Sequence, residues 1–451
     1  MSTRERTPSW GITPVPGRLR TLGSLDNAML WGSLGLSLLV LVAGTVLVPA
    51  LSLRQALLAI LVGGVFGNVL LGLAALIGAD AGVPAMVLLR APLGRAGSWA
   101  PTALNVLQNL GWTIFEVLVI ATAASALSQR VFGFHALWAW KLAAAAAATG
   151  LALVGPVGFV REWVKRFALW IVLASLGYLT WWSLHGAHLG ALWSQPGKGG
   201  FPSFWQGVDL MVAMPVSWLP LAADYTRFSR GRSGAFWGTA LGYLVPNMWL
   251  YGLGAILLLS RGLADAPSVL TAVAAGGAGA AVALLALGVD ETKEPFANVY
   301  SAAVSLQNVV PEASQRLLIV AVGAVSAGGA FAIDLVQYGS FLLLLGSFFV
   351  PLFGVLLADW LLAGAHYRER DVFGAPAVRP AQLAAWLAGF LLYQWLSPAG
   401  PGWWTSLVAH THPGLGAVGG SLPSFFAAFV LSVALTLPAR GLALRDRTSG
   451  A

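Results

Sequence analysis

The sequence predicts an all-α polytopic membrane protein, with twelve transmembrane helices arranged as two inverted five-helix repeats and two extra helices. Three observations predict it. Hydrophobic residues make up 58% of the 451 positions and charged residues 9%, against ~25% charged in a soluble domain, and the mean hydropathy is +0.78. Apolar runs able to supply the ~20 helical residues of a bilayer span recur near 27–50, 55–79, 99–128, 136–155, 167–186, 205–224, 234–259, 276–306, 316–333, 335–364, 381–397 and 422–438. The first and sixth runs, five apart, are both interrupted, by Trp31-Gly32-Ser33-Leu34-Gly35-Leu36-Ser37 and by Met214-Pro215-Val216-Ser217-Trp218-Leu219-Pro220. Gly weakens a helix, and interior Pro removes a backbone hydrogen bond. Interruptions at matching positions in two halves point to a binding site between repeats, although Gly32 and Gly35 also suit helix packing.

Taken in order, residues 1–26 form a polar, Arg-rich tail with no apolar core for a cleavable signal. Residues 27–439 form one transmembrane domain: repeat one over about 27–190, repeat two over about 204–364, extra helices over about 381–439, and a tail at 440–451. Alternating sides from a cytoplasmic N-terminus places the basic loops and tails inside, with Arg4, Arg6, Arg18, Arg20, Arg90, Arg95, Arg161, Lys165, Arg166, Arg227, Arg230 and Arg232 among them. Outside the spans, the exceptions are Arg54, Arg130, Lys141, Lys198 and Arg261. The positive-inside rule then sets both termini in the cytoplasm and the chain in the inner (plasma) membrane. The net charge of +8 is explained by this placement and does not imply nucleic-acid binding. Absence of Cys excludes disulfides and thiolate metal sites. The His are scattered apart from His410 and His412, no metal or cofactor set is expected, and no phosphate-binding loop supports ATP hydrolysis.

The third span carries the clearest chemistry. Between Arg95 and Arg130 its one charge is Glu116, which costs ~2.5 kcal/mol or more at mid-membrane unless it faces protein or water. Trp112 and Gln108 precede it at helical-turn spacing, so the three share a face. An aromatic plate beside a buried carboxylate suits a flat nitrogen heterocycle that stacks and hydrogen-bonds together; the competing reading is a Glu that only bonds a neighbouring helix. The eighth span holds Asp290-Glu291-Thr292-Lys293-Glu294-Pro295-Phe296-Ala297-Asn298. On one continuous helix Glu291, Glu294 and Asn298 share a face, with Lys293 beside Asp290. Either these charges lie within the membrane, or the span ends at Val289 and leaves them in a loop. Asp224, closing the sixth span, is expected to pair with a nearby Arg.

The run Gly63-Gly64-Val65-Phe66-Gly67-Asn68, the loop Gly82-Val83-Pro84 with Arg90-Ala91-Pro92-Leu93-Gly94, Gly111-Trp112, and Pro220-Leu221-Ala222-Ala223-Asp224-Tyr225-Thr226-Arg227 resemble the nucleobase:cation symporter family. Ala297-Asn298 and Pro351-Leu352-Phe353-Gly354-Val355-Leu356-Leu357-Ala358-Asp359 extend the resemblance. Within it the chain looks most similar to bacterial cytosine and hydroxymethylpyrimidine permeases. The resemblance implies a leucine-transporter-like five-plus-five repeat, alternating access, and a heteroaromatic substrate between helices one, three, six and eight. It places the stacking Trp on Trp112, the amide one turn later on Glu116, and the helix-eight amide on Asn298. The family's helix-six Trp counts onto Pro215, which leaves Trp218 as the candidate aromatic. The two hydroxyl positions of sodium-coupled members fall on Thr292 and Lys293.

The resulting expectation is a secondary transporter for an aminopyrimidine, contacted by Trp112, Glu116, Gln108, Ser217, Trp218, Asn298 and Ser33. Thr292, Lys293, Asp290, Glu291 and Glu294 form the ion-coupling group, with a proton favoured over sodium because Lys293 brings a cation to the site. Lys293 could instead snorkel to the inner face and anchor the helix. Alternatives are a sodium-coupled permease for purine, hydantoin or allantoin-type substrates, and a membrane-embedded enzyme using Glu116 and the Asp290–Glu294 cluster. The expected partners are the small molecule, the coupling ion and the lipid bilayer, with no obligate protein partner.

Overall fold

The computed structural model describes residues 12–154, 169–411 and 418–448. Arg4, Arg6, the loop residues Arg161, Lys165 and Arg166, and His412 lie outside the described residues. Among those described, regular structure is helical, apart from one isolated bridge between Leu22 and Ser229. The principal helices are α1 (Ser24–Gly35), α2 (Leu38–Thr45), α3 (Leu53–Ala81), α4 (Trp99–Phe132), α5 (Leu137–Val154), α6 (Leu169–Leu184), α7 (Phe204–Ser217), α8 (Leu219–Thr226) and α9 (Arg232–Arg261). They continue as α10 (Ala266–Ala275), α11 (Ala278–Asp290), α12 (Lys293–Leu306), α13 (Gln315–Gly329), α14 (Tyr338–Leu362), α15 (Pro380–Leu396) and α16 (Ser421–Thr448). Each expected span coincides with one of these helices or with a consecutive pair. Helices α3, α4, α5, α9 and α14 are individually long and apolar enough to cross a bilayer, and α1 with α2, bent by 57°, pass together.

Two packed groups define the interior. Helices α1, α2, α3, α7 and α9 pack on one another, and α8 packs on α3. Helices α4, α5, α12 and α13 form the other group, with α11 against α4 and α6. Helices α14, α15 and α16 pack together, and α14 also seats against α7. Without a hydrophobic driving force inside lipid, such contacts depend on close backbone approach. At the α2–α9 crossing a Cβ on Gly44 would lie 2.0 Å from Tyr251 O, and one on Gly254 would lie 2.0 Å from Leu41 O. The two glycines are reciprocal, so neither backbone can withdraw from the other without losing the crossing.

Three spans are divided. In the first, Leu36 and Ser37 leave the helix, and Ser37 caps α2 by accepting from Leu39 N at 3.0 Å. In the sixth, Leu221 N turns to Trp218 O, which frees the Ser217 carbonyl from the helical ladder. The eighth differs from the continuous helix expected over 276–306. Ala266–Ala275 forms its own helix, α11 begins after the Gly276-Gly277 turn, and the span is interrupted again at Glu291-Thr292. Pro295 explains the second interruption: it has no N–H for the Glu291 carbonyl, and Glu294 N takes that oxygen instead at 3.0 Å. The charges around this break are buried in the bundle, which excludes the loop reading. Lys293 is only 2% exposed, so it does not snorkel to the inner face.

Candidate functional site

The two packed groups meet at the divided spans, and a cavity lies between them. Trp112 and Glu116 line it from α4, Glu294 and Asn298 from α12, Met214, Ser217 and Trp218 from the sixth span, Leu34, Ser37, Leu39 and Val40 from the first, and Tyr243 from α9. It spans about 300 Å³ of non-atom space, open solvent included, but only about 10 Å³ admits the centre of a water molecule. That is room for roughly one water, so the lining side chains must part to admit a ring.

Glu116 is bound by the amide of Asn298, whose Nδ2 donates to Oε1 at 2.9 Å and Oε2 at 3.0 Å. The same nitrogen lies 3.2 Å from the Glu294 carbonyl. Trp112 meets Tyr338 and Phe341 edge-on at centroid distances of 5.8 and 5.3 Å, and its Nε1 has no hydrogen-bond partner among the described residues. Trp218 donates through Nε1 to the Tyr243 hydroxyl at 2.7 Å and stands edge-on to Trp31 at 5.7 Å. Pro215, onto which the family's aromatic counted, does not line the cavity; Trp218 does.

Four expected residues take other places. Gln108 lies outside the cavity lining; its Nε2 donates to Asn105 Oδ1 at 2.7 Å and to the freed Ser217 carbonyl at 2.9 Å, bracing the break in span six. Ser33 is buried one turn too early, and Ser37 is the first-span hydroxyl that reaches the cavity. Thr292 turns away: its hydroxyl donates to Val289 O at 2.8 Å, and it lines an outer groove between α4, α5 and α11. The break at Glu291-Thr292 changes the helix phase, which also separates Glu291 from the face shared by Glu294 and Asn298. Asp224, by contrast, has the charge of Arg227 acting on it, in line with the expected pairing with a nearby Arg, and it accepts from Ala85 N at 2.9 Å and from the Ser301 hydroxyl, tying α8 to α12 and to the loop after α3. Ser37 and Tyr243 were missed; only Ser37 had a signal, as a capping residue before an apolar helical run.

Glu291 and Lys293 grip the two ends of the divided first span. Glu291 accepts from Ser37 Oγ at 2.7 Å and Leu38 N at 2.7 Å, with Leu39 N at 3.4 Å. Its carboxylate therefore meets the positive N-terminus of α2. The Lys293 ammonium pairs with Asp290 and donates to the Leu36 carbonyl at 3.4 Å, at the negative C-terminus of α1. Each half-helix end thus has a counter-charge from the chain itself.

Comparison with known proteins agrees with this architecture. A profile of the family described as permeases for cytosine/purines, uracil, thiamine and allantoin matches residues 14–407. The cytosine permease of Escherichia coli (strain K12) is 24% identical over 369 residues, covering 78% of this chain and 81% of that protein. The allantoin permease of Bacillus subtilis (strain 168) is 26% identical over 189 residues, covering 36% of this chain and 37% of that protein. Among solved structures, Mhp1, a nucleobase-cation-symport-1 family transporter in a closed conformation with bromovinylhydantoin bound, superposes with a TM-score of 0.77 at 21% identity, covering 96% of this chain and 95% of that one. A Na+-coupled sialic acid symporter shares the fold at a TM-score of 0.60 and 10% identity, covering 92% and 90%. The fold is thus the leucine-transporter-like inverted repeat that the sequence predicted, and because these relatives are permeases the enzyme alternative falls. With most of its length matched by the profile, the chain belongs to the family of permeases for cytosine/purines, uracil, thiamine and allantoin, and is a multi-pass membrane transporter.

Proposed function

We propose that this permease imports an aminopyrimidine by alternating access, with the ring stacked on Trp112 and hydrogen-bonded to Glu116 and Asn298. The observation that carries the reading is a carboxylate bound to Asn298 beside an indole in one cavity. A carboxylate accepts two parallel hydrogen bonds, which fits an exocyclic amine next to a protonated ring nitrogen, as in the N3-protonated form of cytosine; a diketo ring offers no such pair of donors. Trp218 and Ser217 contribute the opposite wall, and Gln108 positions that wall through the Ser217 carbonyl. The proposed coupling ion is the proton. Sodium would need the free carbonyls of the divided first span, and Lys293 already donates to Leu36 O there. Both termini are proposed to face the cytoplasm, on the distribution of basic loops.

The alternative of a sodium-coupled hydantoin permease takes its support from the fold shared with a hydantoin-bound transporter and with a Na+-coupled symporter. Uptake into proteoliposomes decides between them, using labelled cytosine and hydroxymethylpyrimidine against uracil, hydantoin and allantoin, with sodium replaced by choline and with or without a pH gradient. Aminopyrimidine uptake without sodium, weakened by Glu116→Gln, is expected. Preference for uracil or hydantoin over every aminopyrimidine tested, or an absolute sodium requirement, would overturn the reading.

A further inference from the structure

The charges around the cavity do not balance. Lys293 is paired with Asp290, and Glu291 has its oxygens on Ser37 and the first amides of α2. Two acids remain, Glu116 from α4 and Glu294 from α12, both buried and both lining the same cavity. No Lys, Arg or His is among the cavity's lining residues. Glu116 has the Asn298 amide, whereas Glu294 Oε1 has no hydrogen-bond partner among the described residues. The groups that face Glu294 electrostatically are Glu116, Glu291, Asp290 and Lys293, together with Tyr225 of α8 and Tyr243 of α9. Of these, the only cation is Lys293, whose ammonium is already shared between Asp290 and the Leu36 carbonyl.

We infer that Glu294 is a second ligand-binding carboxylate, and that the Glu116–Glu294 pair makes the cavity select heteroaromatic cations over uncharged rings of the same shape. This rests on the cavity being the substrate site. Two carboxylates facing one small, water-poor space repel each other, and a positive ring between them relieves that repulsion while satisfying the free Glu294 oxygen. The aromatic walls act in the same direction, because an indole face attracts a cation more than a neutral ring. Asn298 holds the arrangement together, reaching the Glu116 carboxylate and the Glu294 main chain from one nitrogen. The ligand class is therefore a nitrogen heterocycle carrying its positive charge in the ring, either by protonation or by N-alkylation, with an amine that reaches Glu116.

The test compares 4-amino-1-methylpyrimidinium, a fixed cation, with 4-amino-6-methylpyrimidine at mildly alkaline pH, where the second is uncharged. Binding to the purified full chain is measured by calorimetry. The wild type is expected to bind the cation about tenfold or more tightly than the neutral ring. Glu294→Gln is expected to remove most of that preference by weakening the cation alone, and Glu294→Asp to restore part of it. Thermal unfolding checks that each variant is folded. Equal binding of the two probes by wild type, or equal weakening of both by Glu294→Gln with Glu294→Asp no better, would overturn the inference. If both probes bind equally and Trp112→Ala weakens both, the substrate site stands and only cation selection falls. If neither binds, both readings fall.

Discussion

Removing the Lys293 ammonium should turn a self-contained charge pair into a sodium site. Lys293 is 2% exposed, paired with Asp290, and 3.4 Å from the Leu36 carbonyl. At ~4 Å and an effective dielectric near 20 the pair is worth ~4 kcal/mol of Coulomb energy. Breaking such a buried pair from one side costs ~3–5 kcal/mol, because the remaining charge has no partner. Lys293→Ala should therefore lose about that much stability, whereas Lys293→Ala with Asp290→Asn should recover most of it. In the single variant Asp290 and the Leu36 carbonyl face the space the ammonium filled, an arrangement of hard oxygen ligands. Sodium should then stabilise Lys293→Ala, by ~2.7 kcal/mol at a hundred times its dissociation constant, and should leave wild type unchanged. Unfolding in detergent with sodium or choline chloride at equal ionic strength provides the readout. Three results would each refute the reasoning: a single variant as stable as wild type, a double variant no better than the single, or equal stabilisation of wild type by sodium.

Trp112→Ala should lose ~1–3 kcal/mol of ligand affinity, as loss of base–aromatic stacking does, with Trp112→Phe retaining much of it; titration of the purified protein checks this, and unchanged affinity in a folded Trp112→Ala would return the indole to packing alone. Gly254→Val should disrupt the α2–α9 crossing, since its Cβ would lie 2.0 Å from Leu41 O, at a cost of ~1–3 kcal/mol or more for overpacking. Gly252→Ala on the same helix meets only Leu57 Cδ2 at 3.4 Å and should be near neutral; comparable melting temperatures for the two variants would contradict the close approach.

Much of the fold was readable because bilayer spans announce themselves through length and hydropathy, and because Gly and Pro mark interrupted helices. The Gln108–Trp112–Glu116 face followed from helical spacing, and Glu116 drew notice as an isolated charge in a long apolar run. The errors have local causes. Pro295 is a single breaker inside a resuming apolar pattern, and a continuous helical phase through Glu291-Thr292 sets Thr292 on the wrong side. Ser33 was chosen one turn before Ser37, although Ser37 carried the capping signal. The Glu291–Ser37 contact joins residues 254 positions apart, and nothing local in either segment states that they meet. Tyr243 bonding to Trp218 is of the same kind: its segment of α9 reads as ordinary apolar helix.

A counter-ion that is a side chain has consequences for where a cell can live. Glu291 and Lys293 accompany the divided first span in fixed proportion, one of each per protein, whatever the surrounding medium contains. On the proposed reading, a permease built this way keeps its central break neutralised in dilute fresh water and in brine alike. It also gives up something, since an ion that never leaves cannot carry energy inward. On that same proposed reading, how far the cell can concentrate its substrate is set by whatever the ligand and the remaining carboxylates exchange with the two compartments, and the salinity outside has no part in that limit.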